Sequence, residues 1–181
     1  MINKKVKDRL FAFIFGSEEH KDWILSLYNA INGTEYTDTD EIEINIMSDM
    51  IYMGMKNDVS FIIHNDISIY EQQSTYNPNM PVREMMYLSD LYAKYIKRTR
   101  QNMYGEKLMS LPVPKLVTFY NGKKDVPDKL LKLSDSFTKS DAGDKSDVEV
   151  TVHLINISHD KNNELLLACK PLKGILYVVL D

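Results

Sequence analysis

Apolar positions recur at helical spacing in two blocks near the start of the chain. Phe11, Ile14 and Phe15 form the first, and Trp23, Leu27 and Ile31 the second, within "DRLFAFIFGSEEHKDWILSLYNAING". Gly16-Ser17 predicts a break between them, with Ser17 as N-cap and Glu18 and Glu19 in the first turn that follows. Asn32-Gly33 predicts the end of the second helix. The pattern then turns strand-like. "EIEINIM", "NDVSFII" and "ISIYEQQ" predict three strands, the last two split by "HND". Beyond the loop "NPNMP", the segment "VREMMYLSDLYAKYIKRTR" predicts a long helix. Pro81 suits its first turn, and Met85, Leu88, Tyr92 and Tyr95 form its apolar stripe. "KLVTFY" predicts a strand closed by the turn signal Asn121-Gly122. "SDAGDKSD" is a polar loop, "VEVTVHLINI" a further strand, "NNELLLAC" helical and "GILYVVLD" a strand. The order is α, β-β-β, α, β, then mixed, which predicts an α/β fold with a central mixed sheet flanked by helices. No repeat or linker divides the chain, so residues 1–181 are read as one domain.

Composition narrows the class. Hydrophobic residues at 44% and charged residues at 27% fit a globular domain with a real core, not a disordered or fibrous chain. The single cysteine, Cys169, excludes an internal disulfide and suits a reducing cytoplasm, the expected location. Cys169 itself reads as a small buried apolar residue. No apolar run approaches the roughly 18 residues of a membrane span. The basic opening has no small-residue cleavage site. No membrane partner is expected.

The net charge of −4 weighs against a nucleic-acid partner, but its distribution is uneven. Residues 34–72 hold nine acidic residues and one basic, while residues 94–132 hold ten basic and three acidic. Such asymmetry marks a polyanion partner, or else Lys and Arg coating solvated helix faces.

The chemistry concentrates in "NDVSFIIHNDISIYEQQS", residues 57–74. Side chains alternate between the faces of a strand, so Ile67, Ile69, Glu71 and Gln73 share one face, and Asp58, Ser60 and Ile62 share one face of the preceding strand. A His64-Asn65 hairpin loop pairs Asp58 with Glu71. An Asn65-Asp66 loop pairs Asp58 with Gln73 and leaves Glu71 diagonally adjacent. Either register points both carboxylates to one side. Directly opposed Cβ atoms lie roughly 4.5–5.5 Å apart, and like charges there destabilise a sheet. A proton, a neighbouring Lys or Arg, or a divalent cation would offset the repulsion. Gln73 suits the cation: it is neutral and can donate to a water or a phosphate oxygen. The bland alternative is an exposed hairpin with solvated acids.

More of the chain supports the sharper reading. "KDRLFAFIFGSEEH", "KNDVSFII", "IYEQQSTYNPNMPVREMMYLSDLYAKYI", "PVPKLVTFYNG" and "LKLSDSF" resemble the recombination-promoting nuclease and putative transposase family (the Rpn group) of the PD-(D/E)XK nuclease superfamily. The likeness spans roughly residues 7 to 169, and "EQQSTYNPNMP" is its most specific block. The resemblance implies a restriction-endonuclease-like core of order α-β-β-β-α-β. It implies Asp58 and Glu71 as catalytic metal ligands, Gln73 in the place of the motif's lysine, and Mg²⁺, or Mn²⁺ in its stead, as cofactor. The implied activity is DNA endonuclease chemistry that promotes recombination, with DNA as partner and a homodimer as a candidate assembly. Arg83, in the M-P-x-R block, would contact a phosphate or cap local acids. Asp8 stands where some members carry a further acid, or is a helix-end cap. Tyr87 and Tyr92 could stack on bases, or pack in the core. His64, His153 and His159 lack metal-ligand spacing. Three departures stand out. Ala12 replaces a common basic residue, Gln72 replaces a common histidine, and the family's helical C-terminal region has no visible counterpart. The alternatives are a catalytically weak relic that binds DNA or protein, and a toxin or phage-defence nuclease with the same chemistry.

Overall fold

The structure is a computed structural model that describes residues 4–44, 58–139, 143, 145–158, 161 and 163–174. Helices α1 (Lys4–Phe15) and α2 (Lys21–Asn32) flank the expected break. Ser17 is extended, and its Oγ accepts the Glu19 amide at 3.2 Å. It caps a single 3₁₀ turn, Glu18–His20, that leads into α2. Gly33 ends α2 in the left-handed region at φ 65°, its amide returning to the Asn29 carbonyl. Gly16 answers a different constraint. Its amide bonds the Ala12 carbonyl at 2.8 Å, and a Cβ there would collide with that same oxygen.

Among the described residues six strands form one mixed sheet. They are β1 (Ile42–Ile44), β2 (Asp58–Ile63), β3 (Asp66–Gln73), β4 (Val113–Tyr120), β5 (Lys129–Lys132) and β6 (Thr151–Asn156). Their spatial order is β1-β2-β3-β4-β6-β5. β1, β2 and β3 are antiparallel neighbours, β3-β4 and β4-β6 are parallel, and β5 closes the far edge antiparallel to β6. Helix α3 (Met80–Arg98) carries the chain from β3 to β4, the crossover a parallel pair needs. Helix α4 (Asn163–Ala168) follows β6. The hairpin between β2 and β3 turns at His64-Asn65, with His64 left-handed at φ 51° and Ile63 paired with Asp66.

The alternation of strand side chains splits the core into two layers. Val59, Phe61, Ile63, Tyr70, Val117 and Phe119 face one side and pack with residues of α1, α2 and α4, among them Phe11, Leu27 and Leu166. Ile62, Ile67, Ile69, Leu116, Tyr120 and Leu154 face the other side and pack with Met80, Tyr87 and Leu91 of α3. The fold is therefore an α/β layering with helices on both faces of the sheet.

Two sequence readings change. The period of α3 is as expected but its phase is not. The deepest residues are Met80, Glu84, Tyr87 and Leu91, while Leu88, Tyr92 and Tyr95 flank them half-buried. An acid inside the buried stripe disguised it. Strand β5 escapes the pattern because it is short and buries only Leu131. Strand β4 ends at Tyr120, immediately before Asn121-Gly122 as expected, and its sheet neighbours are β3 and β6. The end of "EIEINIM", His159, the side chain of Asp8 and the expected strand "GILYVVLD" beyond Gly174 lie outside the described residues. Among the described residues no helix is long and apolar enough to cross a membrane.

The two glycines give opposite expectations. Gly16→Ala should lower stability by about 1–3 kcal/mol, because backbone must move. Gly33→Asn should cost less, because asparagine tolerates the left-handed region and a Cβ there meets open space. Denaturant unfolding of the two variants measures the difference.

Candidate carboxylate site

The hairpin register sets Asp58 directly opposite Glu71, on the sheet face that α3 covers. Across the parallel pair, Glu71 is the Cα partner of Thr118. Gln73, two residues on and on the same face, donates from Nε2 to Glu71 Oε1 at 2.8 Å. The first turns of α3 then bring in Arg83. Its Nη2 donates to the same Glu71 Oε1 at 3.0 Å, and its Nη1 lies 3.6 Å from Met80 Sδ. Asp58, Glu71, Gln73 and Arg83 therefore converge on one place. Of the two roles open to Arg83, the structure shows the cap on an acid.

The sequence reading missed one member. Glu84, next to Arg83, is 1% exposed, and its Oε1 accepts from Thr118 Oγ1 at 3.1 Å. The signal was present in the spacing: residues 80, 84, 87 and 91 form a helical stripe, and an acid inside such a stripe is a candidate by itself. Tyr87 is fully buried and Tyr92 donates to the Pro112 carbonyl at 2.8 Å, so both serve packing rather than base stacking. The His64 ring lies tilted against Tyr36, with Nδ1 3.8 Å from Glu41 Oε2, and His153 is exposed. Neither has a hydrogen bond or ion pair with Asp58 or Glu71 among the described residues.

Electrostatics follow from burial. Asp58 Oδ1 and Glu84 Oε2 are buried with no hydrogen-bond donor. Burial, then the charge of Glu71, pushes the Asp58 carboxyl well above the usual carboxylate range, with Arg83 pulling it partly back. Burial, then Glu71, raises Glu84 likewise. Burial, then Asp58, raises the Tyr87 phenol. Two of the three means of offsetting the carboxylate repulsion are thus visible: the Arg83 cation beside Glu71, and a carboxyl at Asp58 that holds its proton to higher pH.

The third means, a cation, meets a mixed test. Among the described residues no group of three or more His, Cys, Asp or Glu is placed to hold a metal ion. Mg²⁺, however, takes one or two carboxylates and fills the rest of its shell with water and phosphate. The buried, donorless Asp58 Oδ1 beside Glu71 fits that mode.

Part of the charge asymmetry is internal. Arg98 pairs with Glu43, and Lys115 Nζ lies 3.8 Å from Asp66, so the basic segment partly neutralises the acidic one. Lys97, Arg100 and Lys107 are exposed at and beyond the C-terminal end of α3. Comparison of the chain with family models, with curated proteins and with solved structures finds no match.

The raised carboxyls have a consequence for stability. A carboxyl that binds its proton more tightly when folded destabilises the fold as pH rises from the unfolded-state range through its folded value. Asp58 and Glu84 should therefore make the protein less stable at about pH 8 than at about pH 5. Asp58→Asn and Glu84→Gln should each flatten that fall and raise stability at pH 8 by about 0.5–2 kcal/mol. Arg83→Ala should lower it by about 1–3 kcal/mol, because Glu71 loses a donor. Urea unfolding at both pH values reads all three.

Proposed function

We propose that this chain is a divalent-metal-dependent DNA endonuclease with a PD-(D/E)XK-type core, related to the recombination-promoting nucleases. The observation that carries this reading is the directly opposed Asp58–Glu71 pair on the face that α3 covers, with Glu71 buried and bonded by Gln73 and Arg83 and Asp58 half-buried beside it. Two acids held face to face lower the stability of a sheet. Such a cost is common where a site is built for function.

In this reading Asp58 and Glu71 hold Mg²⁺ or Mn²⁺. When bound, the ion neutralises charge on the scissile phosphate and helps to activate a water. The chain's own residues prepare the place. Gln73 and Arg83 both bond Glu71 Oε1, which fixes the carboxylate plane and leaves Oε2 free of those two donors. Gln73 carries no charge, so it orients Glu71 without repelling a cation. Arg83 keeps part of its side chain in solvent, where a phosphate oxygen can meet its remaining N–H groups. The exposed Lys97, Arg100 and Lys107 supply sequence-independent attraction for a nucleic-acid backbone.

A second reading keeps the fold without the chemistry, as a DNA- or protein-binding relic. It is favoured by Arg83, which already compensates Glu71, and by Gln73 in the place of a lysine. Supercoiled plasmid separates the two. With Mg²⁺ or Mn²⁺ the wild-type protein should nick it, EDTA should abolish nicking, and Asp58→Ala and Glu71→Ala should each lower the rate by about 100-fold or more. No nicking by a folded wild type under either metal would favour the relic. Equal nicking by both variants would move the activity elsewhere.

A further inference from the structure

Two consecutive residues of α3 grip two neighbouring strands on one rung of the sheet. Glu71 and Thr118 are Cα partners across β3 and β4. Arg83 bonds the first and Glu84 bonds the second, at 3.0 and 3.1 Å. Apolar contact alone would hold α3 less specifically, because hydrophobic attraction has no preferred direction. A hydrogen bond donated by Thr118 of the sheet to Glu84 fixes the rotation of the helix about its axis. It thereby fixes the direction of residue 83, about 100° around the same turn.

Glu84 also stands where chemistry alone would not put it. Its stripe is otherwise Met80, Tyr87 and Leu91, and its Oε2 is buried without a donor. A leucine would fill this place without desolvating a carboxyl. Residues that break a local rule in this way mark functional places.

We propose that Glu84 is a positioning residue of the Asp58–Glu71 site, whose bond with Thr118 pins α3 to β4 so that Arg83 meets Glu71. Its part in catalysis rests on the nuclease reading; its effect on the Arg83–Glu71 pair does not.

The test is a double-mutant cycle on the full chain. Arg83→Met and Glu71→Gln are combined, and their coupling is measured by urea unfolding in three backgrounds: wild type, Glu84→Leu and Glu84→Gln. Mn²⁺ binding is measured by calorimetry on the same backgrounds, each with Arg83 and Glu71 intact. Glu84→Gln keeps an oxygen that can accept from Thr118. The Arg83–Glu71 coupling, as an equilibrium factor, should fall about fivefold or more in Glu84→Leu and stay within about twofold in Glu84→Gln. Mn²⁺ affinity should follow the same order. A purely structural Glu84 would change overall stability and leave the coupling alone. Should Glu84→Leu not fold, Thr118→Val removes the same bond from the strand side and should give the same loss. Unchanged coupling in Glu84→Leu, or equal loss in Glu84→Gln, overturns the proposal. If the coupling falls as expected while the wild type binds no Mn²⁺ and nicks no plasmid, the positioning role stands and the nuclease reading fails.

Discussion

The pairing of Asp58 with Glu71 is the constraint around which the covered face of the sheet is arranged. Two acids sit opposite one another on adjacent strands, on the sheet face that a helix covers, with Glu71 buried and Asp58 half-buried. Such a pair is stable only when something offsets the repulsion. Here the offset is local and specific. Arg83 and Gln73 both donate to one oxygen of Glu71, and the Asp58 carboxyl is raised toward its neutral form. Removing any one of these leaves a buried charge or a buried acceptor without compensation.

The rest of the fold supplies a stiff floor beneath that pair. On the opposite face, Phe61, Tyr70 and Phe119 meet edge to face across β2, β3 and β4, with ring centroids 5.2 and 5.7 Å apart. Phe11 of α1 adds a fourth ring 5.5 Å from Phe119. Tyr70 is the chain neighbour of Glu71, so the aromatic ladder and the acid pair stand on opposite sides of the same backbone. Close-packed aromatic contacts resist sliding between strands. That resistance keeps the register, and the register keeps the carboxylates opposed.

Stability and chemistry pull against one another at this place. Asp58 and Glu84 each hold a buried oxygen with no donor. In a chain selected for stability alone, apolar side chains would serve both positions better. A divalent cation would reverse the balance at Asp58, turning a cost into a ligand, and would favour the ionised form. The same arrangement is therefore poor without a cation and serviceable with one, which is the physical content of the nuclease reading.

Much of this was legible in the chain. Alternation in "NDVSFII" and "ISIYEQQ" placed Asp58, Glu71 and Gln73 on one side in either hairpin register, because the strand period is two whatever the partner. Helical spacing around Phe11, Trp23 and Tyr92 located α1, α2 and α3, and Gly16-Ser17 and Gly33 marked the ends of α1 and α2, because these limits are local. What only the tertiary structure decided was of longer range. The choice of a His64-Asn65 turn, the edge place of β5 and the phase of α3 depend on which surfaces meet. Glu84 shows why. Nothing local separates an acid on a solvated helix face from one turned into a core; the difference is made by Thr118, thirty-four residues away, and by the sheet that carries it.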